Sequence, residues 1–105
     1  MCGIVGRLNF HSRPVDPQTI RQMSDRIVHR GPDDEGIFVD GNLGLGFRRL
    51  AIIDLSERGH QPMSDESGDV WLVFNGEIYN FVALRQELEQ DGVRFQSGTD
   101  SEVII

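Results

Sequence analysis

The stretch DVWLVFNGEIYN, residues 69–80, decides how the chain is layered. Val70, Trp71, Leu72, Val73 and Phe74 form an unbroken apolar run, too apolar for a half-exposed strand, so it reads as a strand covered on both faces. Such a strand needs layers above and below it, which together with neighbouring helices points to an α/β or α+β sandwich. Asn75-Gly76 is the strongest short hairpin signal, yet no matching strand follows it. Glu77, Ile78 and Tyr79 lead instead to a helix capped by Asn80, with Phe81, Leu84 and Leu88 on one stripe and an end near Gly92. Two readings of Asn75-Gly76 therefore stand level. It is a plain turn, or a side-chain amide and a glycine N–H that converge as donors on one oxygen.

Upstream, residues 2–10 read as an opening strand. A helix follows, with Asp16 as N-cap and Pro17 at its first position. Ile20, Met23, Ile27 and Val28 share its apolar face, and Gly31 with Pro32 stops it. Two strands over 36–40 and 43–48 are joined by a turn at Asp40-Gly41-Asn42. RRLAIIDL continues extended, and residues 56–68 read as a loop rich in Gly, Pro, Ser and acids. Downstream, residues 93–96 read as a short strand. TDSEVII opens a helix with a capping box, Thr99 at the N-cap and Glu102 three positions on.

The 105 residues bound one domain or part of one, and 38% hydrophobic with 26% charged residues is a soluble globular composition. No apolar stretch approaches the roughly 18 residues of a membrane helix. A net charge of −7 argues against a general nucleic-acid binder. All ten cationic side chains are arginine, which removes lysine nucleophiles and Schiff-base chemistry. The single cysteine forbids an intrachain disulfide and fits a reducing, cytoplasmic setting.

That cysteine, Cys2, sits where chains usually fray. Taken alone it reads first as a small hydrophobe at a strand end. The sharper reading is that removal of Met1 gives one residue both a thiol and a free α-amine. Arg48 and Arg49 read as solvated, or as a pair of which alternation lets only one turn inward to grip a carboxylate. Asp100 is an acid well placed at a helix start, or a partner for a substrate ammonium. Gripping a carboxylate and an ammonium together would mean an amino acid as ligand. His29 is either a general base for Cys2 or an ordinary helix-end histidine. Asp33-Asp34-Glu35 reads as a solvated loop in preference to a metal site.

Cys2-Gly3-Ile4, His29-Arg30-Gly31-Pro32-Asp33, Arg49-Leu50, Asn75-Gly76-Glu77-Ile78-Tyr79-Asn80 and Ser97-Gly98-Thr99-Asp100 occur in this order. Together they resemble the class II glutamine amidotransferase domain of glutamine-hydrolysing asparagine synthetases, along the whole segment. The resemblance implies an α+β fold, the four-layer α-β-β-α sandwich of N-terminal-nucleophile hydrolases. Residues 1–105 are then the front part of a glutaminase domain, the rest of which and a synthetase domain lie outside this sequence. The resemblance also implies that Cys2 is the nucleophile and that Asn75 and Gly76 form the oxyanion hole. By the same likeness Arg49 and Leu50 hold the glutamine carboxylate end, while Glu77 and Asp100 hold its amino end. No metal or cofactor is expected in this segment, ATP and Mg2+ belonging to the synthetase domain. The expected partners are L-glutamine, that synthetase domain in cis and further copies of the full-length chain, with no nucleic acid and no membrane. The expected reaction is glutamine hydrolysis through a Cys thioester, supplying ammonia to amidate aspartate in the cytoplasm. A related amidotransferase with a peptide or cell-envelope acceptor, and a silent interaction module, remain as alternatives. A papain-like hydrolase would need a Cys-Gly-Ser-Cys-Trp signature, which is absent.

Overall fold

The computed structural model describes residues 1–51 and 56–105. Three antiparallel strands form its main sheet: β1 (Gly3–Leu8), β2 (Asp34–Asp40) and β3 (Leu43–Arg49), in the order β1-β3-β2. Gly41, at φ +55°, makes the β2–β3 turn where the sequence expects it. Between β1 and β2 lies helix α1 (Pro17–Asp25), whose N-cap Asp16 accepts the Gln18 N–H at 2.9 Å. Its apolar spacing continues past Asp25, but as a separate 3-10 turn, Val28–Arg30, closed by Gly31.

Pairing puts Gly3, Val5 and Arg7 of β1 on the same face as Arg48, Gly46 and Gly44 of β3. Helix α1 lies on this face, and the glycines let it come close. A Cβ on Gly44 would sit 2.6 Å from Ile20 and 2.9 Å from Val15. Ile20 and Val15 are buried here, while Phe47 is buried on the opposite face. Full burial of side chains such as Ile20 and Phe47 contributes about 1.5–3 kcal/mol each.

The opposite face carries Ile4 and Leu8, 48% and 56% exposed, beside Phe38. Trp71 stacks on Phe38 with ring centroids 3.7 Å apart. Trp71 belongs to a two-residue strand, β5 (Trp71–Leu72), paired with β4 (Met63–Ser64). Among the described residues the long strand expected over the apolar run is two residues of ladder, and its neighbours are half-buried, with Val70 exposed. The physical reason is the partner: apolar content favours a strand, but a ladder exists only where another strand supplies N–H and C=O groups. The fold is α+β.

Helix α2 (Phe81–Gln90) begins after Asn80, which occupies the N-cap without a side-chain bond. Residues 93–96 form no strand; Phe95 lies under the Arg85 guanidinium and the Gln96 N–H donates to Glu102 at 2.7 Å. The capping box is displaced as well. Asp100 is the N-cap of a 3-10 turn, Ser101–Ile104, and the Glu102 carboxylate accepts from the Ser97 N–H and hydroxyl instead of serving Thr99. The second half of RRLAIIDL, residues 52–55, lies outside the described residues.

Candidate active site

Cys2 sits immediately before β1, so its surroundings are set by β3, the strand beside it. The Leu50 N–H donates to Cys2 Sγ at 3.2 Å, and the thiol lies 3.5 Å from the Leu50 carbonyl oxygen as donor. The HRGPD block supports this seat from both ends. Arg30 Nε donates to the Cys2 carbonyl at 3.2 Å. Asp33 brackets the Arg49–Ala51 backbone: its N–H donates to Arg49 O and its carboxylate accepts the Ala51 N–H, each at 3.0 Å. Gly31 makes the approach possible, since a Cβ there would stand 2.3 Å from the Arg48 carbonyl carbon. A cysteine this near a chain end is ordered because its neighbours hold it through backbone groups.

Alternation along β3 separates the two arginines. Arg48 lies on the α1 face, bridged to Asp25 and Glu35 at 2.8 Å. Arg49 turns to the other face, 7% exposed, and donates to Ser56 O at 2.6 Å. Its guanidinium passes against Gly59, where a Cβ would come within 2.4 Å of a guanidinium nitrogen.

Asn75-Gly76 forms no hairpin. The preceding N–H, that of Phe74, donates to Gln61 Oε1 at 2.7 Å, and the Phe74 ring lies on Gly76. Asp100 is buried, and its Oδ2 accepts the Ile78 N–H at 2.8 Å, which ties the turn after Glu77 to the start of the last 3-10 helix. Thr99 and Ser101 pack beside it as buried hydroxyls, joined at 3.2 Å.

Cys2, Arg49, Leu50, Asn75, Gly76, Glu77 and Asp100 all line one cleft of about 340 Å³. Among the described residues its charged side chains are one cation, Arg49, and two acids, Glu77 and Asp100. That charge pattern is complementary to a zwitterion. A larger cleft of about 500 Å³ near Met63, Asp65, Phe95 and Glu102 has the hydroxyls of Ser64 and Ser67 on its wall, but among the described residues neither Cys2 nor any other residue singled out above as a candidate for chemistry lines it.

The segment matches a glutamine amidotransferase domain family over residues 1–105. The chain belongs to that family. It is 50% identical over 108 aligned residues to "Asparagine synthetase [glutamine-hydrolyzing] 1" of Bacillus subtilis, covering all of this chain and 17% of that protein. It is 39% identical over 106 residues to "Asparagine synthetase B [glutamine-hydrolyzing]" of Escherichia coli, covering 100% of this chain and 19% of that protein. It is also 39% identical over 117 residues to "Amidase chry2" of Gibberella zeae, covering 100% of this chain and 17% of that protein. The chain therefore spans less than a fifth of the length of these relatives.

Within this amidotransferase segment some expected groups lie elsewhere. His29 is exposed on the 3-10 turn and does not line the cleft, so it makes no Cys-His pair. The acidic run is not simply solvated. Asp33 goes to Ala51, Asp34 to His60 Nδ1 at 2.6 Å, and Glu35 to Arg48 and Arg21. The three carboxylates diverge to separate partners. Among the described residues no three His, Cys, Asp or Glu side chains are arranged to hold a metal ion, and no helix is long and apolar enough to cross a membrane. Sequence reading missed Gln61, Thr99 and Ser101 as lining residues. Gln61 sits in a polar loop with no periodicity to mark it, whereas Thr99 and Ser101 flank Asp100 and adjacency was the available signal.

Proposed function

We propose that residues 1–105 are the front part of the glutaminase domain of an asparagine synthetase, hydrolysing L-glutamine at Cys2 and supplying ammonia to a synthetase domain further along the chain. The observation that carries this reading is one cleft in which a thiol, a strand-end arginine, an Asn-Gly pair and two acids converge from positions 2 to 100. Relatives named as glutamine-hydrolysing asparagine synthetases support it.

Removal of Met1 frees the α-amine of Cys2, whose ordinary pKa of about 7.7–8.0 leaves a useful neutral fraction near pH 7. This amine takes the thiol proton, directly or through one water, and the thiolate attacks the side-chain carbonyl carbon of glutamine. The Asn75 amide and the Gly76 N–H donate to the oxyanion that develops there. Arg49, beside Leu50, holds the α-carboxylate, and Glu77 and Asp100 hold the ammonium. Collapse of the intermediate breaks the C–N bond, and the proton held by the amine leaves with ammonia. Water, deprotonated by the same amine, then cleaves the thioester to give glutamate and the free thiol.

The full domain is the four-layer sandwich of N-terminal-nucleophile hydrolases. The sheet face that carries Ile4 and Leu8 supports this, because its apolar side chains stand exposed opposite the α1 layer. In the whole protein ATP and Mg2+ serve the synthetase domain, where aspartate is amidated, and the protein works in the cytoplasm as a homo-oligomer. A second reading, the same glutaminase feeding a different acceptor, is favoured by the relative named as an amidase.

Intact mass of the full-length protein tests the nucleophile. We expect Met1 to be absent, a glutamine-analogue electrophile to add once, and Cys2→Ala to lose both the adduct and glutamine hydrolysis while ammonia-dependent synthesis persists. Full glutaminase activity with Met1 retained would sink the reading. So would loss of both activities in Cys2→Ala, which would make the thiol structural.

A further inference from the structure

Gln61 is a polar side chain that the catalytic scheme leaves unused, yet it lines the cleft and is only 5% exposed. Its orientation is set by chemistry. A backbone N–H only donates, so the atom facing Phe74 at 2.7 Å is the amide oxygen. The other end of the amide, Nε2, carries two N–H donors and makes no hydrogen bond to the described residues. Neither is it sealed away. Ser24 Oγ is the one side-chain polar atom among the described residues that is both inaccessible and unpartnered. Nε2 therefore keeps contact with open space, and the residue that carries it lines the cleft. An amide donor held in a largely desolvated site is left wanting an acceptor. The ligand expected in this cleft brings two kinds: carboxylate oxygens and the oxygen of a side-chain amide.

We propose that Gln61 is a substrate-binding residue whose Nε2 donates to an oxygen of the bound amino-acid amide, while its Oε1 anchors Phe74 just before Asn75-Gly76. The proposal rests on the glutaminase reading and adds a binding group to it. One amide then does two things. It fixes the entry of the oxyanion-hole segment through Oε1, and it reads the substrate through Nε2.

Gln61→Glu separates these two jobs. A glutamate retains an oxygen to accept the Phe74 N–H, but it replaces the donors with a negatively charged acceptor facing the substrate oxygen. In the full-length protein we expect kcat/KM for L-glutamine to fall about tenfold or more, the scale of a lost buried hydrogen bond. The thermal transition should stay with that of the parent. A rise in KM at constant kcat assigns the acceptor as the α-carboxylate, and a fall in kcat at constant KM assigns it as the developing oxyanion. Either result supports the proposal. A kcat/KM within twofold of the parent overturns it. Loss of activity together with the thermal transition also overturns it, since Gln61 then acts through Phe74 alone. A parent protein that neither binds nor hydrolyses L-glutamine defeats the glutaminase reading itself, and the role of Gln61 falls with it.

Discussion

Gly31→Ala adds one methyl group where backbone meets backbone. Its φ of −150° is open to any residue, so the cost comes from space and not from torsion. The new Cβ would lie 2.3 Å from the Arg48 carbonyl carbon, 2.4 Å from its oxygen and 2.5 Å from the Arg49 nitrogen. None of these is the tip of a flexible side chain, so the HRGPD block must move away from β3. Overpacking costs about 1–3 kcal/mol, and this contact belongs at the upper end. Movement also weakens the bonds from Arg30 to the Cys2 carbonyl and from Ala51 to Asp33, at about 1 kcal/mol each. The sum, about 4–5 kcal/mol, is a large part of the 5–15 kcal/mol that holds a typical domain. For a domain of 150–250 residues it lowers the melting transition by about 10–20 °C. Calorimetry of the full-length protein reads this, and glutaminase turnover should fall with it because the seat of Cys2 is displaced. Gly41→Ala is the control. Gly41 has a positive φ but nothing within 4 Å of a Cβ, so its cost is about 1–2 kcal/mol of torsion with turnover intact. A Gly31→Ala protein that melts within about 2 °C of the parent and turns over normally would refute the packing argument.

Arg49→Lys should raise KM for L-glutamine about 10- to 100-fold, from the 1.5–3 kcal/mol of a hydrogen bond to a charged group, because an ammonium does not reproduce the planar fork; an unchanged KM would return Arg49 to a structural role. Asn75→Ala should lower kcat by about 10²–10³ with KM little changed, as loss of an oxyanion donor does, and parental turnover would leave Asn75-Gly76 a simple turn. Asp65 is held below its ordinary carboxyl value of 3.8, first by the Ser67 hydroxyl and then by backbone N–H groups of the same loop. Its folded pKa is depressed, so the stabilisation of that loop is present above the unfolded value and is lost as pH falls through the lower folded value. The protection of the Asp69 and Val70 amides, which donate to Asp65, relative to their intrinsic exchange rates should fall over that acid range in the parent and be low at all pH in Asp65→Ala.

The elements with internal periodicity were legible in the sequence. The strand opening at Gly3, the cap of α1 at Asp16, the β2–β3 turn at Gly41 and the stripe of α2 all depend on neighbours a few residues away. The alternation of Arg48 and Arg49 was legible too, because period two is a property of the strand itself. What failed depended on a distant partner. The run before Asn75 has the composition of a long strand, but among the described residues the strand paired with it is the short Met63–Ser64. Thr99 looked like a cap, but Glu102 found Ser97. The acidic run after Pro32 looked solvated, but the Ala51 N–H, His60 and Arg48 supplied separate partners for its three carboxylates. The cleft itself is the extreme case. Residues 2, 49, 75 and 100 share no local pattern, and only antiparallel pairing of β1 with β3 and the return of the chain through Gln61 and Asp100 bring them to one wall. Sequence alone sets which side chains are available and what chemistry they carry, because those are properties of single residues. Tertiary structure decides which of them meet, because a contact between residues far apart in the chain depends on every element folded between them.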